Sequence, residues 1–239
     1  MLDNGCNRSV STPREVFQLF KYKYFFRKNN PDFFYPAGLV CFYGPQGSGK
    51  TLSAVNYVQN LFLKYPNCKL VTNLKLTQFP VDNVRVFEFI DSDDLLRYKN
   101  DDKGVIFLID EIQIYFNSLE SKNISIDVIA LLSQQRKQRL HIVCTSQVFD
   151  RMAKPLREQF DKAIECHCYF QCLQVNLVIK RDLDLEDKGT TGLKRKFSKR
   201  FIWLHKLSMY NSYDTYVVIK RGNIKQKGEK NIYGYDNNL

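Results

Sequence analysis

No apolar run in this chain approaches the roughly 20 residues that a helix needs to cross a bilayer. The most apolar segment is only Val105-Ile106-Phe107-Leu108-Ile109. Met1-Leu2-Asp3-Asn4 does not open a secretion leader. Cysteine does not come in a disulfide pattern: there are seven in 239 residues, an odd count. Together these exclude a disulfide-stapled secreted domain and lead to the expectation of a soluble chain in a reduced, cytoplasmic compartment, the host cytoplasm if the chain is viral. Asn123-Ile124-Ser125 has glycosylation spacing, which such a chain does not use. Cys166-His167-Cys168 and Cys172 lack the second paired set that zinc-finger spacing requires, so they read as strand cysteines. There is no internal repeat.

Acidic side chains are also in deficit. Lys and Arg number 36 against 25 Asp and Glu, a net charge of +11. The excess is uneven. Residues 1–38 carry six basic and three acidic side chains, residues 39–180 carry 17 and 15, and residues 181–239 carry 13 and seven. A nearly neutral body thus lies between basic flanks, and an anionic partner would meet the flanks. With 44% hydrophobic and 26% charged residues, the composition is that of a globular domain able to bury a core. Three segments follow: an N-terminal helical extension over 1–38, a core over 39–180, and a basic loop, edge strand and tail over 181–239.

Against this background stands one dense motif, Gly44-Pro45-Gln46-Gly47-Ser48-Gly49-Lys50-Thr51. It matches G-x-x-x-x-G-K-[ST], the Walker A P-loop. The apolar run Gly38–Tyr43 leads in and the helical pattern Leu52–Val58 leads out, which is the strand–loop–helix context the motif needs. Glycines let successive N–H groups turn inward on a polyphosphate, and a helix N-terminus adds favourable partial charge. Lys50 is expected on the β- and γ-phosphates of ATP, and the Thr51 hydroxyl on Mg²⁺.

Hydrolysis needs further groups. Asp110 ends the buried run at 105–109 and suits the second, Walker B, position beside Mg²⁺. Glu111 follows and is placed to orient the attacking water or take its proton. Gln147 ends the next buried run, His141–Thr145, where an amide can reach the γ-phosphate. Arg136 and Arg139 lie just upstream, and either can stabilise transition-state charge from a neighbouring subunit.

The remaining pattern gives an α/β fold with a mostly parallel central sheet and helices on both faces. Thr12-Pro13-Arg14-Glu15 reads as a capping box opening a helix to about Lys28, rich in aromatics and lysines. Its aromatics suit packing on a neighbouring surface, and its basic residues suit nucleic acid or a membrane surface. Strands are expected over 69–73, 84–90, 105–109, 141–145 and about 200–207, with a hairpin through Gln171 and Cys172. Helices are expected over 91–98, 127–138 and 149–160, the last interrupted near Pro155. Residues 182–200 read as a mobile charged loop.

The order of P-loop, Asp110-Glu111, arginine-bearing helix and Thr145-Ser146-Gln147 resembles the FtsK–HerA branch of P-loop motor ATPases. Within it the chain is similar to the zonula occludens toxin-like proteins of phages. The phrase Tyr210-Asn211-Ser212-Tyr213-Asp214-Thr215-Tyr216 resembles that family's tyrosine–serine segment. The resemblance implies a RecA-like core with a small antiparallel β addition, a ring homo-oligomer of five or six copies, and action on DNA in phage or mobile-element assembly, with capsid or envelope assembly proteins as further partners. Filamentous-phage relatives follow this domain with a membrane span, and its lack here favours a soluble packaging motor over a membrane-docked extrusion ATPase. A small-molecule kinase, with 182–200 as its lid, is a further alternative that Glu111 and Gln147 argue against.

Overall fold

Every residue of the strand β4 (Val105–Ile109) is buried, as a strand covered on both faces of a sheet must be. The computed structural model describes residues 12–77, 85–119, 124–180 and 197–213. It divides into two compact units, Met1–Phe33 and Phe34–Leu239.

The first unit contains helix α1 (Pro13–Asn29). The capping box forms as predicted: the Thr12 N–H donates to Glu15 Oε2 at 2.8 Å, and the Glu15 N–H donates to Thr12 Oγ1 at 3.4 Å. No side chain of α1 is buried. Phe17 and Phe20 are each 69% exposed.

Among the described residues the second unit holds one eight-stranded sheet. Its strands are β1 (Gly38–Tyr43), β2 (Lys69–Thr72), β3 (Val86–Glu88), β4, β5 (Leu140–Ser146), β6 (Phe160–Tyr169), β7 (Leu173–Lys180) and β8 (Phe197–Leu204), in the spatial order β3-β2-β4-β5-β1-β6-β7-β8. From β3 to β6 all pairings are parallel, and β7 and β8 add antiparallel. The predicted hairpin through Gln171 and Cys172 is the β6–β7 turn.

The period of two along each strand sorts the core. Leu39, Cys41, Val105, Phe107, Ile109, Ile142 and Cys144 face one layer with Val128, Leu131 and Leu156. Val40, Phe42, Ile106, Leu108 and Val143 face the other, under helix α2 (Lys50–Lys64). The α2 side chains Ala54, Val55, Val58 and Phe62 make the helical stripe that covers it.

Several boundaries differ from the sequence reading. The stretch 91–98 is helical only in α3 (Asp94–Arg97). The helix expected over 127–138 is two: α4 (Ile126–Ser133) and α5 (Gln135–Gln138). The buried Gln135 side chain donates to the Leu132 carbonyl, taking the acceptor that a continuous helix would offer to the Arg136 N–H. The helix expected over 149–160 is a 3-10 turn, Phe149–Arg151, and one helical turn, α6 (Lys154–Arg157). Proline suits the first turn but not a helix interior, so the helix starts beside Pro155. Ahead of it the Ala153 N–H donates to the Phe116 carbonyl at 3.0 Å, which holds that backbone extended. The strand expected over about 200–207 is Phe197–Leu204, so it begins inside the predicted loop; residues 181–196 of that loop lie outside the described residues. Leu207 belongs instead to α7 (Leu207–Tyr210).

Candidate functional site

β1 ends at Tyr43 and α2 starts at Lys50. Between them the Gly44 N–H donates to the Ser146 carbonyl at 3.3 Å, and the Ser48 N–H donates to the Pro45 carbonyl at 3.2 Å, closing a turn. Gly47 and Gly49 take φ of 78° and 76°, left-handed values that cost an L side chain free energy. Gly49 caps α2 and has no side chain to bond the first N–H groups of this helix. Those donors are what an anion needs. The Ser48 hydroxyl is buried without a hydrogen-bond partner among the described residues. Open N–H groups, an unpartnered hydroxyl and a cationic side chain all fit a bound polyphosphate.

Because β1, β4 and β5 run parallel, their C-terminal ends meet at this edge. β5 lies between the other two. Thr51 Oγ1 donates to Asp110 Oδ1 at 2.9 Å, and Thr145 Oγ1 donates to the same oxygen at 2.6 Å. The Glu111 N–H donates back to Thr145 Oγ1 at 2.9 Å. One β5 hydroxyl thus spaces both acidic residues. Asn73, just past β2, brackets the Asp110 backbone: its amide donates to the Asp110 carbonyl and accepts from the Asp110 N–H, both at 2.8 Å. Burial pushes the Asp110 pKa up; hydrogen bonds from Thr145 and Thr51 pull it down, Glu111 raises it and Lys50 lowers it. A hydroxyl and a carboxylate this close, with the carboxylate's charge incompletely compensated, form an oxygen donor set suited to Mg²⁺.

Lys50 is buried, and its Nζ lies 3.2 Å from Glu111 Oε1. Gln147 Nε2 donates to the same oxygen at 3.3 Å, and Gln113 bonds the other oxygen. Glu111 itself has φ 51° and ψ 54°, a left-handed conformation uncommon for a non-glycine residue. The structure therefore brings Lys50, Thr51, Asp110, Glu111 and Gln147 together.

It does not bring Arg136 and Arg139 there. Both precede β5, at the opposite edge of the sheet. The seven residues of β5 set the two edges roughly 20 Å apart. Arg139 donates through Nε to Asp102 at 2.9 Å, and Arg136 is exposed. Of the cysteine group, Cys166 is buried, Cys168 partly so, and Cys172 exposed.

Sequence reasoning missed Asn73, Gln113 and Thr145. Asn73 and Thr145 stand where predicted strands end, and that position was the available signal.

No curated protein matches the chain. Among solved structures, the N-terminal domain of zonular occludens toxin from Neisseria meningitidis superposes with a TM-score of 0.51 at 18% identity, covering 75% of this chain and 100% of that one. A second solved structure, an ATPase domain, superposes with a TM-score of 0.50 at 12% identity, over 85% of this chain and 99% of that one. The genome packaging NTPase B204 from Sulfolobus turreted icosahedral virus 2, in complex with ATP-gammaS, gives 0.47 at 13% identity, over 72% and 98%. The first two likenesses show the fold alone, that of the P-loop NTPases. The model of one family, described as zonular occludens toxin (Zot), matches residues 38–209, most of the chain and every residue brought together at the site above; the chain belongs to that family.

Proposed function

We propose that this chain is a Mg²⁺-dependent ATPase that moves DNA and works as a ring of identical copies, with residues 39–180 as its catalytic core. The observation that carries the reading is the meeting of Lys50, Thr51, Asp110, Glu111 and Gln147 beside a loop of open N–H donors. ATP is the substrate of this site. Thr51 and Asp110 would hold Mg²⁺, which when bound neutralises charge on the phosphate oxygens.

The chain's own groups then divide the work. Lys50 leaves Glu111 for the β- and γ-phosphates. Glu111, released from that ion pair, orients the attacking water and takes its proton at the carboxylate. Gln147 stays within hydrogen-bond reach of Glu111 and registers whether a γ-phosphate is present. Asp110 keeps Thr51 in place, and Thr145 keeps the two carboxylates apart. Neither Arg136 nor Arg139 reaches the P-loop of its own chain, so an arginine from this pair acts on a neighbouring copy. DNA is gripped by the basic flanks, consistent with the nearly neutral charge of residues 39–180. Among the described residues no helix is long and apolar enough to cross a membrane.

The test is ATP hydrolysis by purified protein, with and without DNA, together with its mass distribution by mass photometry. The expected outcome is DNA-stimulated release of phosphate and an ATP-dependent ring. Phosphate transfer to a small acceptor, indifferent to DNA, would sink the motor reading and leave a kinase.

A further inference from the structure

β7 carries two buried amides, Gln174 and Asn176, that the proposed mechanism does not use. Residues two apart on a strand share a face, and here both side chains meet the P-loop and α2. Gln174 is 0% exposed, and each of its polar atoms is used. Its Nε2 donates to the Ser48 carbonyl at 3.0 Å and to Asn176 Oδ1 at 2.9 Å. Its Oε1 lies 3.1 Å from His205 Nε2. Both amide hydrogens are committed, so Oε1 accepts and His205 carries a proton on Nε2. Asn176 Nδ2 continues the network to Ser53 Oγ in α2 at 3.2 Å.

The contact with the loop is close. A Cβ built on Gly49 would lie 2.1 Å from Gln174 Oε1. The bond to Ser48 also has a directional consequence. In a trans peptide the C=O and the following N–H point opposite ways. Holding the Ser48 carbonyl toward β7 therefore turns the Gly49 N–H away from β7.

The network has a far end. The His205 N–H donates to the Cys172 carbonyl at 2.8 Å. His205 Nδ1 bonds the Tyr210 hydroxyl, which lies 2.9 Å from the Gln171 carbonyl. A continuous hydrogen-bonded path thus runs from Ser48 through Gln174 and His205 to Tyr210 in α7. An apolar side chain could fill the Gln174 position without needing these three partners. A buried amide does need them, because unbonded polar atoms in the interior are costly.

The geometry points to Gln174 as a positioning residue that holds the Ser48–Gly49 peptide in its anion-receiving orientation and, through His205, couples occupancy of the P-loop to the β8–α7 turn. This rests on the reading of the P-loop as an ATP site. Coupling between two sites is reciprocal, so nucleotide should order the β8–α7 turn as much as that turn favours nucleotide.

The experiment uses the full chain and a non-hydrolysable ATP analogue with Mg²⁺. Titration calorimetry gives its affinity, and hydrogen exchange reads protection over residues 204–210 and over α2. In the wild type, the analogue should raise protection in both. Gln174→Ala and the near-isosteric Gln174→Glu should each bind roughly tenfold more weakly, as expected for losing hydrogen bonds to one carbonyl. In both, protection at 204–210 should no longer respond to the analogue, while the response of α2 persists. Val178→Ala, on the same strand, controls for general destabilisation: it opens a cavity in the core and should leave affinity unchanged. His205→Ala provides an independent test if the Gln174 variants do not fold. It should weaken binding by less than the tenfold of the Gln174 variants, by the coupling alone, and abolish the response at 204–210. Wild-type affinity in the Gln174 variants, or a persisting response at 204–210 in the Gln174 or His205 variants, would overturn the inference while leaving the ATP site standing. A wild type that binds no nucleotide would overturn the proposed function, and this inference with it.

Discussion

Glu111 sits at the strained centre of the site, held in a left-handed conformation by its N–H bond to Thr145 and bonded at both carboxylate oxygens. Glu111→Gln keeps the shape and removes the proton acceptor. It should bind ATP as the wild type does and hydrolyse it on the order of a hundredfold more slowly or worse, the usual worth of a positioned base; unchanged turnover in a phosphate-release assay would remove Glu111 from the mechanism. Asp110 carries a different cost. Its raised pKa means that the folded protein disfavours the ionised form. Asp110→Asn should therefore raise the melting temperature of the nucleotide-free protein while ending Mg²⁺-dependent hydrolysis, and a lower melting temperature would refute this account of its environment. His141 gives a pH dependence. It is buried against Tyr57, whose hydroxyl lies 3.0 Å from Nε2. Burial lowers its pKa to about 4, Lys162 adds to the effect, and the backbone of Gly38 and Ala37 opposes it. Between that value and the unfolded value of about 6.5, the unfolded chain binds a proton that the folded chain does not. Stability from this group is thus complete above about pH 6.5 and falls as pH drops toward 4, by about 3 kcal/mol in all. Urea midpoints measured across that window should show a shallower slope for His141→Gln than for the wild type.

At the scale of elements, the parallel half of the sheet was legible. The runs 38–43, 105–109 and 140–144 are largely apolar because both of their faces are covered, and nothing competes with that pattern. The site was legible where a strand ended in a charged or amide residue, as with Asp110, Glu111 and Gln147, and where the P-loop spelled itself out. What stayed hidden was decided by distant partners. The extended backbone ahead of Pro155 depends on the Phe116 carbonyl. The break between α4 and α5 depends on where one glutamine side chain turns. Gln174 reads as an ordinary alternating strand residue, and its partner Ser48 is 126 positions away. Such pairings leave no local trace. The helical stripe of α2 was legible and carries weight: Phe62, at its C-terminal end, is fully buried. Phe62→Ala should cost roughly 3–5 kcal/mol, a large part of a domain's total stability, and lower the urea midpoint without changing the slope of the transition.

At the scale of the molecule, the charge distribution separates two kinds of anion binding that a single site would mix. The excess of positive charge lies in residues 1–38 and 181–239, with a net +3 and +6, whereas residues 39–180 carry only +2. ATP in the proposed reading is held by oriented N–H groups and a buried lysine, an arrangement that salt screens weakly because it is desolvated. In the same proposed reading DNA is gripped by the lysines and arginines of the flanks, each contact with a phosphate releasing condensed counterions. If four phosphates are neutralised, raising salt from about 50 to 200 mM should weaken DNA binding on the order of a hundredfold. The basal hydrolysis rate and the affinity for ATP should change far less over the same range. Fluorescence anisotropy with labelled duplex, run beside a phosphate-release assay, reads both. DNA stimulation that survives the higher salt undiminished would place the grip elsewhere than on the basic flanks. Basal hydrolysis that fell in step with DNA binding would mean that the two anions share a surface, and the division of labour between core and flanks would have to be given up.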